Sequence, residues 1–576
     1  MKTFQEILAQ KMADALAAAG LPQAGAVTPA TDARFGDYQS NAALILAKQL
    51  GENPRALAPK ILAALELSGL CDPPTIAGAG FINFTLRPEA VAARTGDLLG
   101  DERLGVEKAA TPKRIVIDFG SPNVAKPMHV GHIRSTVLGD ALARIATFLG
   151  HEVIRDNHIG DWGTQFGMVI YGWKNLLDRA ALERDPIAEL VRIYKETNAQ
   201  ATSDPKVREA VKEELVKLQA GDPGNFAIWK ETVDLSLKEF ERAYQVLDIH
   251  YDIQRGESFY NDRLAAVVER LLKAGIAEVS EGAVCVFFRD IPELGEKPAI
   301  IRKSDGGFNY TTTDIATVDY RIQDLKADTV WLVVGAPQIL HFKQIIAIAR
   351  REGYTADFHH ITFGSILGEN RKLMKTRSGE NVALRDLLDD AVQRARKIIE
   401  EKNPDLSEPE KMDIAQKVGI GAVKYYDLSQ YRMTDYIFSW DRMLSFQGNT
   451  APYLQNAYVR IRSIFRKASV AAPLWGALDE ATETKISLIA PEERTLALKL
   501  SQFAEVVPAV LNDFRPNILA NYLYELANSF HSFYEACPVL KSEEPARSSR
   551  LALCELTGRT LRQGLELLGI KVPEKM

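Results

Sequence analysis

The sequence predicts an α/β protein: a parallel sheet in a Rossmann-like domain, preceded by a small α+β module and followed by an all-α bundle. Two apolar runs, residues 114–119 and 329–334, are typical of parallel strands that are buried on both faces. The amphipathic run 133–149 follows the first of these strands and predicts a helix. Because the chain has 576 residues, too many for one hydrophobic core, we expect several domains.

The first two predicted domains contain all the predicted strands. Helical patterns and a turn and strand at residues 78–86 predict an N-terminal module over residues 1–107. The Rossmann-like domain is expected over residues 108–395. Its remaining strands are predicted at residues 152–155, 283–288 and 299–301.

The other predicted regions are helical. A helical pattern at residues 173–248 predicts a helical insertion in the Rossmann-like domain, at about 173–295. Helical spacing then predicts a connecting region over residues 396–440 and a bundle over residues 441–576. An Ala/Glu/Thr-rich stretch at 468–487 is expected to be a loop between helices of this bundle.

Composition narrows the class of protein. With 46% hydrophobic and 25% charged residues, the chain is ordinary for a globular protein, and no window is apolar enough to span a bilayer. The polar N-terminus does not resemble a signal peptide. Four scattered cysteines without a Cys-x-x-Cys pair indicate a reducing compartment and no zinc site. The net charge of −6 does not indicate nucleic-acid binding, although a local basic face is enough for phosphate contacts.

Residues 121–132, SPNVAKPMHVGH, are the most informative stretch. His129 and His132, with Gly131 between them, lie where a predicted strand leads into a helix N-terminus. An α/β sheet binds nucleotide phosphates at such a position. Taken alone, two histidines three residues apart are more often a hydrogen-bonded pair or half of a metal site.

A second candidate is the basic run 371–379, RKLMKTRSG, between a glycine-containing segment at 363–368 and a helix expected to begin near Leu384. Cations on a loop suit the negative charge that develops during phosphoryl transfer. An unremarkable solvated loop has the same composition, so this run alone does not identify a function.

Tyr310 and Asp314 are spaced four residues apart, so on a helix they share one face. A carboxylate and a phenol oxygen are suitable partners for a guanidinium group. The competing interpretation is that Asp314 only complements the dipole of a helix N-terminus.

These segments together resemble class I aminoacyl-tRNA synthetases. Residues 129–132 are similar to the HxGH signature of that family, and the basic run resembles a degenerate form of its KMSKS loop. The typical loop carries a lysine one residue after its serine, whereas here Arg377 and Ser378 follow Lys375 and Thr376. The arginyl branch commonly shows this departure together with a lysine just before the first histidine, the place of Lys126. The chain is therefore identified as similar to bacterial arginyl-tRNA synthetases.

The resemblance implies site residues, which we state as expectations. Catalytic roles are implied for Lys126, His129, His132 and Lys375. ATP binding is implied for His129, Gly131, His132, Gly364, Met374, Lys375 and Thr376. Arginine binding is implied for Asp118, Ser121, Asn123, His132, Tyr310, Asp314 and Gln338.

The resemblance also implies how tRNA is held. An N-terminal module that contacts the tRNA elbow, a stem-contact region and an anticodon-binding bundle are expected. Phe81 and Asn83 pair an aromatic surface with a base-edge amide, although Phe81 is equally suited to the module core. The tRNA contacts implied are Phe81, Asn83, Tyr453, Tyr458 and Met576.

The implied activity is arginine–tRNA ligation that uses ATP with Mg²⁺ and no zinc, by a cytoplasmic protein that is usually a monomer, with no membrane partner. Three alternatives remain open at this stage. The first is another class I synthetase, such as the cysteinyl or glutaminyl type, but this assignment would not explain the presence of the Tyr310 and Asp314 pair. A tRNA-binding paralogue without activity gives no reason for an intact His129, His132 and Lys126. A generic nucleotidyltransferase would share the histidine signature but not the C-terminal bundle.

Overall fold

The computed structural model describes residues 1–295, 297–374, 382–468 and 486–576. The chain divides into two compact units. The first comprises residues 1–108, 445–566 and 571–576, and the second comprises residues 109–444 and 567–570. Within the described ranges, no helix has the length and apolar character needed to cross a membrane.

The N-terminal part of the first unit is an α+β module. Its helix α1 begins after Thr3, whose hydroxyl accepts from the Glu6 N–H while the Glu6 carboxylate accepts from the Thr3 N–H. The antiparallel sheet has the order β1-β2-β4-β3, with more strands than the sequence predicted. The elements are α1 (Phe4–Ala18), β1 (Val27–Pro29), β2 (Tyr38–Ser40), α2 (Ala42–Leu50), α3 (Pro54–Ala63), β3 (Thr75–Ala77), β4 (Phe81–Phe84) and α4 (Pro88–Leu99).

The second unit contains the predicted parallel sheet. Five strands pair in the order β12-β11-β5-β6-β7, all parallel, with β5 at the centre and buried. The strands of this unit are β5 (Arg114–Asp118), β6 (Glu152–Ile159), β7 (Ile253–Gly256), β8 (Glu278–Ser280), β9 (Ala283–Val286), β10 (Ala299–Arg302), β11 (Thr329–Leu332), β12 (Asp357–His360), β13 (Ile366–Leu367) and β14 (Tyr436–Ile437).

Helices cover this sheet and form the insertion. They are α5 (Val130–Phe148), α6 (Gln165–Asn175), α7 (Arg179–Arg184), α8 (Pro186–Ser203), α9 (Pro205–Gln219), α10 (Pro223–Val246), α11 (Asn261–Lys273), α12 (Tyr310–Asp319), α13 (Ile339–Arg351), α14 (Leu384–Lys402), α15 (Glu408–Leu428) and α16 (Trp440–Met443). The class predicted from the sequence, a class I parallel-sheet fold with helical additions, is confirmed.

The strand order fixes where a ligand fits. From β5 the chain proceeds to β6 and β7 on one side, and β11 and β12 lie on the other side. The order therefore reverses between β5 and β11, and ligands of open α/β sheets bind beyond the carboxyl ends of the strands at such a reversal. Ser135 of α5 holds this point together, because its hydroxyl donates to the Val333 carbonyl and accepts from the Gly120 N–H.

Two of the predicted strands belong to a different sheet from the one expected, and one further strand lies in a region predicted to be helical. The strands at 283–286 and 299–302 belong to a separate antiparallel sheet, β10-β9-β8, because they form hydrogen bonds to each other. The region after residue 385 is not entirely helical, since β14 pairs in parallel with β13. Each of these two strands has only two residues, too short a run for a period of two to be recognised.

The C-terminal part of the first unit is the predicted helical bundle. It contains α17 (Ala451–Lys467), α18 (Pro491–Ser501), α19 (Phe503–Asn512), α20 (Pro516–Ala536) and α21 (Ala546–Leu567). The hydroxyl of Thr450 caps α17 by accepting from the Tyr453 N–H. Most of the loop predicted at 468–487 lies outside the described residues.

Candidate active site

The turn between β5 and α5 has an unusual backbone. Ser121 and Ala125 have φ angles of 48° and 60°, in the left-handed region that costs energy for residues other than glycine. The Ala125 N–H donates to the Ser236 hydroxyl, which helps to hold this conformation. Strained residues persist only where the surrounding structure holds them in place, and they are most frequent at active sites and ligand-binding sites.

His129 and His132 lie together at the N-terminus of α5. The helix begins at Val130 rather than at residue 133, because the His129 Nδ1 accepts from the Gly131 N–H at 3.1 Å and caps the first turn. The His132 Nδ1 accepts from the His129 N–H at 3.0 Å, and the two ring centroids are 4.1 Å apart. Gly131 is exposed beside them.

Both imidazoles are neutral at pH 7. Burial lowers the pKa of His129, and burial together with the neighbouring His129 lowers the pKa of His132 to about 4. They therefore act through hydrogen bonds rather than as fixed cations. The partial positive charge at this end of α5 comes from the helix itself, which favours an anion.

Asp118 is the last residue of β5, and its carboxylate is bonded to neighbouring side chains of the protein. Its Oδ2 lies 2.7 Å from the Arg321 guanidinium, which also pairs with Asp156 at 2.8 Å. The Ser121 hydroxyl donates to the Asp118 Oδ1 at 3.0 Å. All three charged side chains are buried, so the cluster fixes the end of the central strand. Arg321 was missed in the sequence because nothing local indicates that it pairs across the sheet.

Asn123 lies on the exposed side of the same turn, against the turn that follows β6. It forms an isolated parallel bridge with Gly160. A Cβ on Gly160 would lie 2.2 Å from the Asn123 Oδ1, so only glycine permits this approach. The two turns are therefore held in contact, which places Asp161 beside the candidate site.

Asp161 belongs to a group of neighbouring acidic side chains, Asp161, Glu257 and Asp314, which we call the acidic pocket. The Asp161 carboxylate accepts from the Ser258 N–H at 2.8 Å and hydroxyl at 2.6 Å. Glu257, the preceding residue, is largely buried, and burial together with the charges of Asp314 and Asp161 raises its pKa to about 8. Three carboxyl groups thus share one region, which a bound cation would stabilise.

Tyr310 and Asp314 both lie on α12, which begins at Tyr310. His341, from α13, contacts both residues. Its Nε2 is 2.5 Å from the Asp314 Oδ2. Its ring packs edge-on against the Tyr310 ring, with 4.8 Å between the ring centroids. Tyr310 is 60% exposed, so its hydroxyl is available to a ligand. Gln338 is also exposed, in the turn that leads from β11 to α13.

Glu257 and His341 were not predicted from the sequence. Glu257 follows β7, an edge strand that was not among the strands predicted from the sequence. Recognition of residues 253–256 as a parallel strand would have identified Glu257, because polar groups just after such strands face the ligand edge of the sheet. His341 had no such signal, since only the packing of α13 brings it to Asp314.

The two predicted lysines differ in what the structure describes. Lys126 is exposed in the strained turn, and its Nζ lies 5.9 Å from the ring centroid of Tyr194 on the insertion helix α8. Lys375 and Thr376, with Arg377, lie outside the described residues. Their predicted roles therefore stay predictions.

The segment that leads into the basic run is described up to Met374. Gly364 lies against residues 434–435: an added Cβ would be 2.8 Å from the Thr434 carbonyl carbon and 2.7 Å from the Asp435 Oδ1. The Met374 N–H donates to the Ile366 carbonyl at 3.3 Å, so the chain folds back along β13.

The residues predicted to contact RNA lie in the first unit. In the N-terminal module, Phe81 is partly exposed, whereas Asn83 is 3% exposed and its Oδ1 accepts no hydrogen bond among the described residues. In the bundle, the Tyr453 hydroxyl contacts Asn528 at 2.6 Å and His531 at 2.7 Å.

Tyr458 differs from the expectation of an accessible aromatic. It is completely buried in α17, because helical spacing turns this position towards the core, and only its hydroxyl reaches Glu574 at 3.3 Å. Its ring offers no surface for stacking on a base in this structure. Met576, the last residue, is partly exposed.

Comparison with known families covers most of the chain. The catalytic-domain model of the class I tRNA synthetases (R) matches residues 95–440. The arginyl tRNA synthetase N terminal domain model matches residues 2–86, and the DALR anticodon binding domain model matches residues 454–576.

Known relatives and solved structures agree with these matches. An arginine–tRNA ligase of Synechococcus sp. is 47% identical over 564 residues, which cover 96% of this chain and 95% of the relative. An arginine–tRNA ligase of Chromobacterium violaceum is 45% identical and is matched over the full length of both chains. The arginyl-tRNA synthetase structures of Plasmodium falciparum and Thermus thermophilus align with TM-scores of 0.85 and 0.83, each at 28% identity and over all of both chains.

Proposed function

The chain belongs to the class I arginyl-tRNA synthetases, and on this basis we propose that it is an arginine–tRNA ligase. It activates L-arginine with ATP to form arginyl-adenylate and pyrophosphate, and then transfers arginine to the 3′-terminal adenosine of tRNA(Arg). The choice of amino acid rests on one observation: Glu257 lies near the charges of Asp314 and Asp161, and the exposed Tyr310 lies beside His341, the partner of Asp314.

The pocket suits the side chain of arginine. A guanidinium presents five N–H donors in a planar fork and no acceptor. Asp314 and Glu257 supply carboxylate oxygens, and the exposed Tyr310 hydroxyl supplies a third acceptor. His341 holds the Asp314 carboxylate in place through its Nε2. Asp118, Ser121 and Asn123 are proposed to hold the α-amino and carboxylate ends, with Gln338 as a further ligand.

ATP is proposed to lie across the N-terminus of α5. Neutral His129 and His132 donate hydrogen bonds to its phosphates and ribose, and Gly131 leaves room for the base. Lys126 and the basic run beginning at residue 371 neutralise the charge that grows on the phosphates. Mg²⁺ is proposed to accompany ATP, since this ion usually binds through phosphates and few protein ligands.

The reaction needs no side-chain nucleophile. The carboxylate of arginine attacks the α-phosphorus of ATP, and pyrophosphate leaves. The enzyme contributes by holding the two substrates in line and by stabilising charge. The 2′-hydroxyl of the terminal adenosine then attacks the carbonyl carbon of the adenylate, and AMP leaves.

The remaining regions are proposed to bind tRNA. Residues 1–107 would contact the tRNA elbow, residues 396–440 a stem of the tRNA, and residues 441–576 the anticodon. The match of an anticodon binding domain model over residues 454–576 supports the last assignment, and the match of an N-terminal domain model over residues 2–86 supports a separate N-terminal module. We further propose that the protein is a cytoplasmic monomer without zinc.

Amino-acid-dependent exchange of pyrophosphate into ATP tests this function. Each of the twenty amino acids is assayed with and without tRNA. Of the twenty amino acids, we expect only arginine to support exchange, and only when tRNA(Arg) is present. Exchange with another amino acid, or no exchange with arginine, would exclude the assignment.

The raised pKa of Glu257 predicts that binding of arginine releases a proton. Below pH 8 the free carboxyl is mostly protonated, whereas a bound guanidinium requires the ionised form. The KM for arginine should therefore fall as the pH rises towards 8 and level off above it. Calorimetry at pH 7 in buffers of different ionisation enthalpy should show about one proton released for each arginine bound.

The control for this prediction is a pair of matched variants. Glu257→Gln should bind arginine more weakly and release no proton. Glu269→Gln, which changes an exposed glutamate of α11, should behave like the wild type. A pH-independent KM in the wild type, or unchanged proton release in Glu257→Gln, would contradict the prediction.

The C-terminal residues give a second prediction, which concerns tRNA. Glu574 accepts from Arg462 at 2.9 Å, so it anchors the tail to α17. Deleting only Lys575 and Met576 leaves this anchor in place. If Met576 contacts RNA, this deletion should raise the KM for tRNA about 10- to 100-fold, as expected for the loss of one buried methionine side chain.

Aminoacylation kinetics at varied tRNA concentration measure this effect, with the KM for arginine as the internal control. A deletion of residues 573–576 removes the anchor as well. If only the longer deletion raises the KM for tRNA, the tail has a structural role and the prediction that Met576 contacts RNA is wrong.

A further inference from the structure

We propose that Arg134 is a positioning residue that sets the separation of the two ATP-facing segments, residues 129–132 and residues 364–374. The inference rests on the proposed function, in which the N-terminus of α5 and the basic run beginning at residue 371 both face the phosphates of ATP. It assigns a role to a buried ion pair that the acidic pocket and the β5–α5 turn do not use.

Arg134 lies on α5, two residues after His132. Its side chain is only 2% exposed, and its Nε lies 3.1 Å from the Oδ2 of Asp427, whose side chain is 4% exposed. Asp427 is in the last turn of α15. The first ATP-facing segment is therefore connected through a buried charge pair to a helix far along the chain.

The other contacts of Arg134 reach the strand β14. Its Nη1 donates to the Thr434 carbonyl at 3.0 Å, and its guanidinium lies 5.1 Å from the centroid of the Tyr436 ring. The Tyr436 hydroxyl in turn donates to the Asp427 Oδ2 at 2.9 Å. Arg134, Asp427 and Tyr436 thus form a closed buried network, which we call the Arg134 network.

This network supports the second ATP-facing segment directly. β14 pairs with β13, and the Tyr436 N–H donates to the Ser365 carbonyl at 3.2 Å. Gly364 packs against the same Thr434 that accepts from Arg134. The Gly368 N–H donates to the Lys372 carbonyl at 2.8 Å, so the start of the basic run folds back onto β13.

The energetics favour a geometric role. Replacing a buried ion pair by apolar groups is often neutral or stabilising, so stability alone gives no reason for Arg134 and Asp427. A planar guanidinium, however, can bond a carboxylate and a carbonyl in fixed directions while its face lies on a ring, which lysine cannot do. A displacement of reacting groups by about 1 Å can cost a reaction about 100-fold in rate.

The test compares the same substitution at two arginines of α5. Arg134→Lys keeps the positive charge but replaces the planar guanidinium, with its several N–H donors in fixed directions, by a single ammonium group. Arg144→Lys is the matched control, because Arg144 also lies on α5 and forms ion pairs, here with Asp140 and Asp248, but it lies towards the other end of the helix from His132. Both variants are assayed by tRNA-dependent exchange of pyrophosphate with arginine, resolved into kcat, KM for ATP and KM for arginine, with thermal unfolding alongside.

We expect Arg134→Lys to lower kcat about 10- to 100-fold, with the KM for arginine changed by less than about twofold. The pocket for arginine lies on other elements, so its affinity should persist. Arg144→Lys should keep kcat near that of the wild type. Equal kcat values for the two variants, or a rise in the KM for arginine that matches the fall in kcat, would overturn the proposal.

Tyr436→Phe keeps the test decisive if Arg134→Lys does not fold. It removes only the hydroxyl bond to Asp427 and leaves the ring beneath Arg134. We expect kcat about 3- to 10-fold lower, which corresponds to the usual net contribution of one hydrogen bond, at an unchanged KM for arginine. An unchanged kcat in Tyr436→Phe would overturn the proposal. If the wild type lacks exchange with arginine, the proposed function fails instead.

Discussion

Asp314→Asn is expected to reduce kcat/KM for arginine by roughly 100- to 1,000-fold, because it leaves the guanidinium of the substrate facing a neutral amide in a partly buried pocket. Breaking one partner of a buried ion pair costs about 3–5 kcal/mol, and the lower part of this range applies here because the Asp314 side chain is 21% exposed. The amide also presents an NH₂ group, which cannot accept from a guanidinium and meets the His341 Nε2 that now lies 2.5 Å from the carboxylate.

Exchange of pyrophosphate with arginine, in the presence of tRNA, measures the effect. Asp324→Asn is the control: it makes the same change on the same stretch of chain, where the carboxylate is 43% exposed and pairs with Arg263. An exposed ion pair contributes little, so this variant should retain activity. Exchange by Asp314→Asn at the wild-type rate would exclude Asp314 as the guanidinium ligand.

Lys126→Met should lower kcat of the activation step by about 100- to 1,000-fold, the usual cost of removing one group that stabilises transition-state charge. The KM for arginine should change little, because Lys126 lies in the β5–α5 turn and not in the acidic pocket. Methionine retains much of the length and the apolar stem of lysine, so the contact near Tyr194 should partly persist.

Single-turnover formation of the adenylate is the preferred measurement, since it isolates chemistry from release of the charged tRNA. Lys230→Met serves as the control, because Lys230 is an exposed lysine of the insertion helix α10 that pairs with Asp234. A small effect of Lys126→Met would assign the role to Lys375 or Arg377 of the basic run.

Local patterns predicted the signature turn well. The strand at 114–118 and the helix that follows it were recognised because an apolar run and a helical period each leave a local record. The end of α5 that matters for the site differed from the prediction by three residues, since the helix N-terminus is set by the His129 side chain. A capping histidine is an uncommon signal, and Ser, Thr, Asp or Asn would have been recognised more readily.

The acidic pocket was predicted only in part. Tyr310 and Asp314 were identified because their spacing follows the helix period. Glu257 and His341 come from other elements, and no local spacing relates them to α12. The environment that raises the pKa of Glu257 exists only when β7, α12 and the turn after β6 are packed together.

The sequence by itself determined the class of fold, the family and the turn where nucleotide phosphates are expected to bind, because these depend on hydrophobic period and on short runs of residues. Tertiary structure alone decided which charges meet: Asp118 with Arg321, Glu257 near Asp314, and Arg134 with Asp427. The physical reason is that burial and Coulomb interaction act through distance in space, and residues hundreds of positions apart become neighbours only when the parallel sheet and its helices have formed.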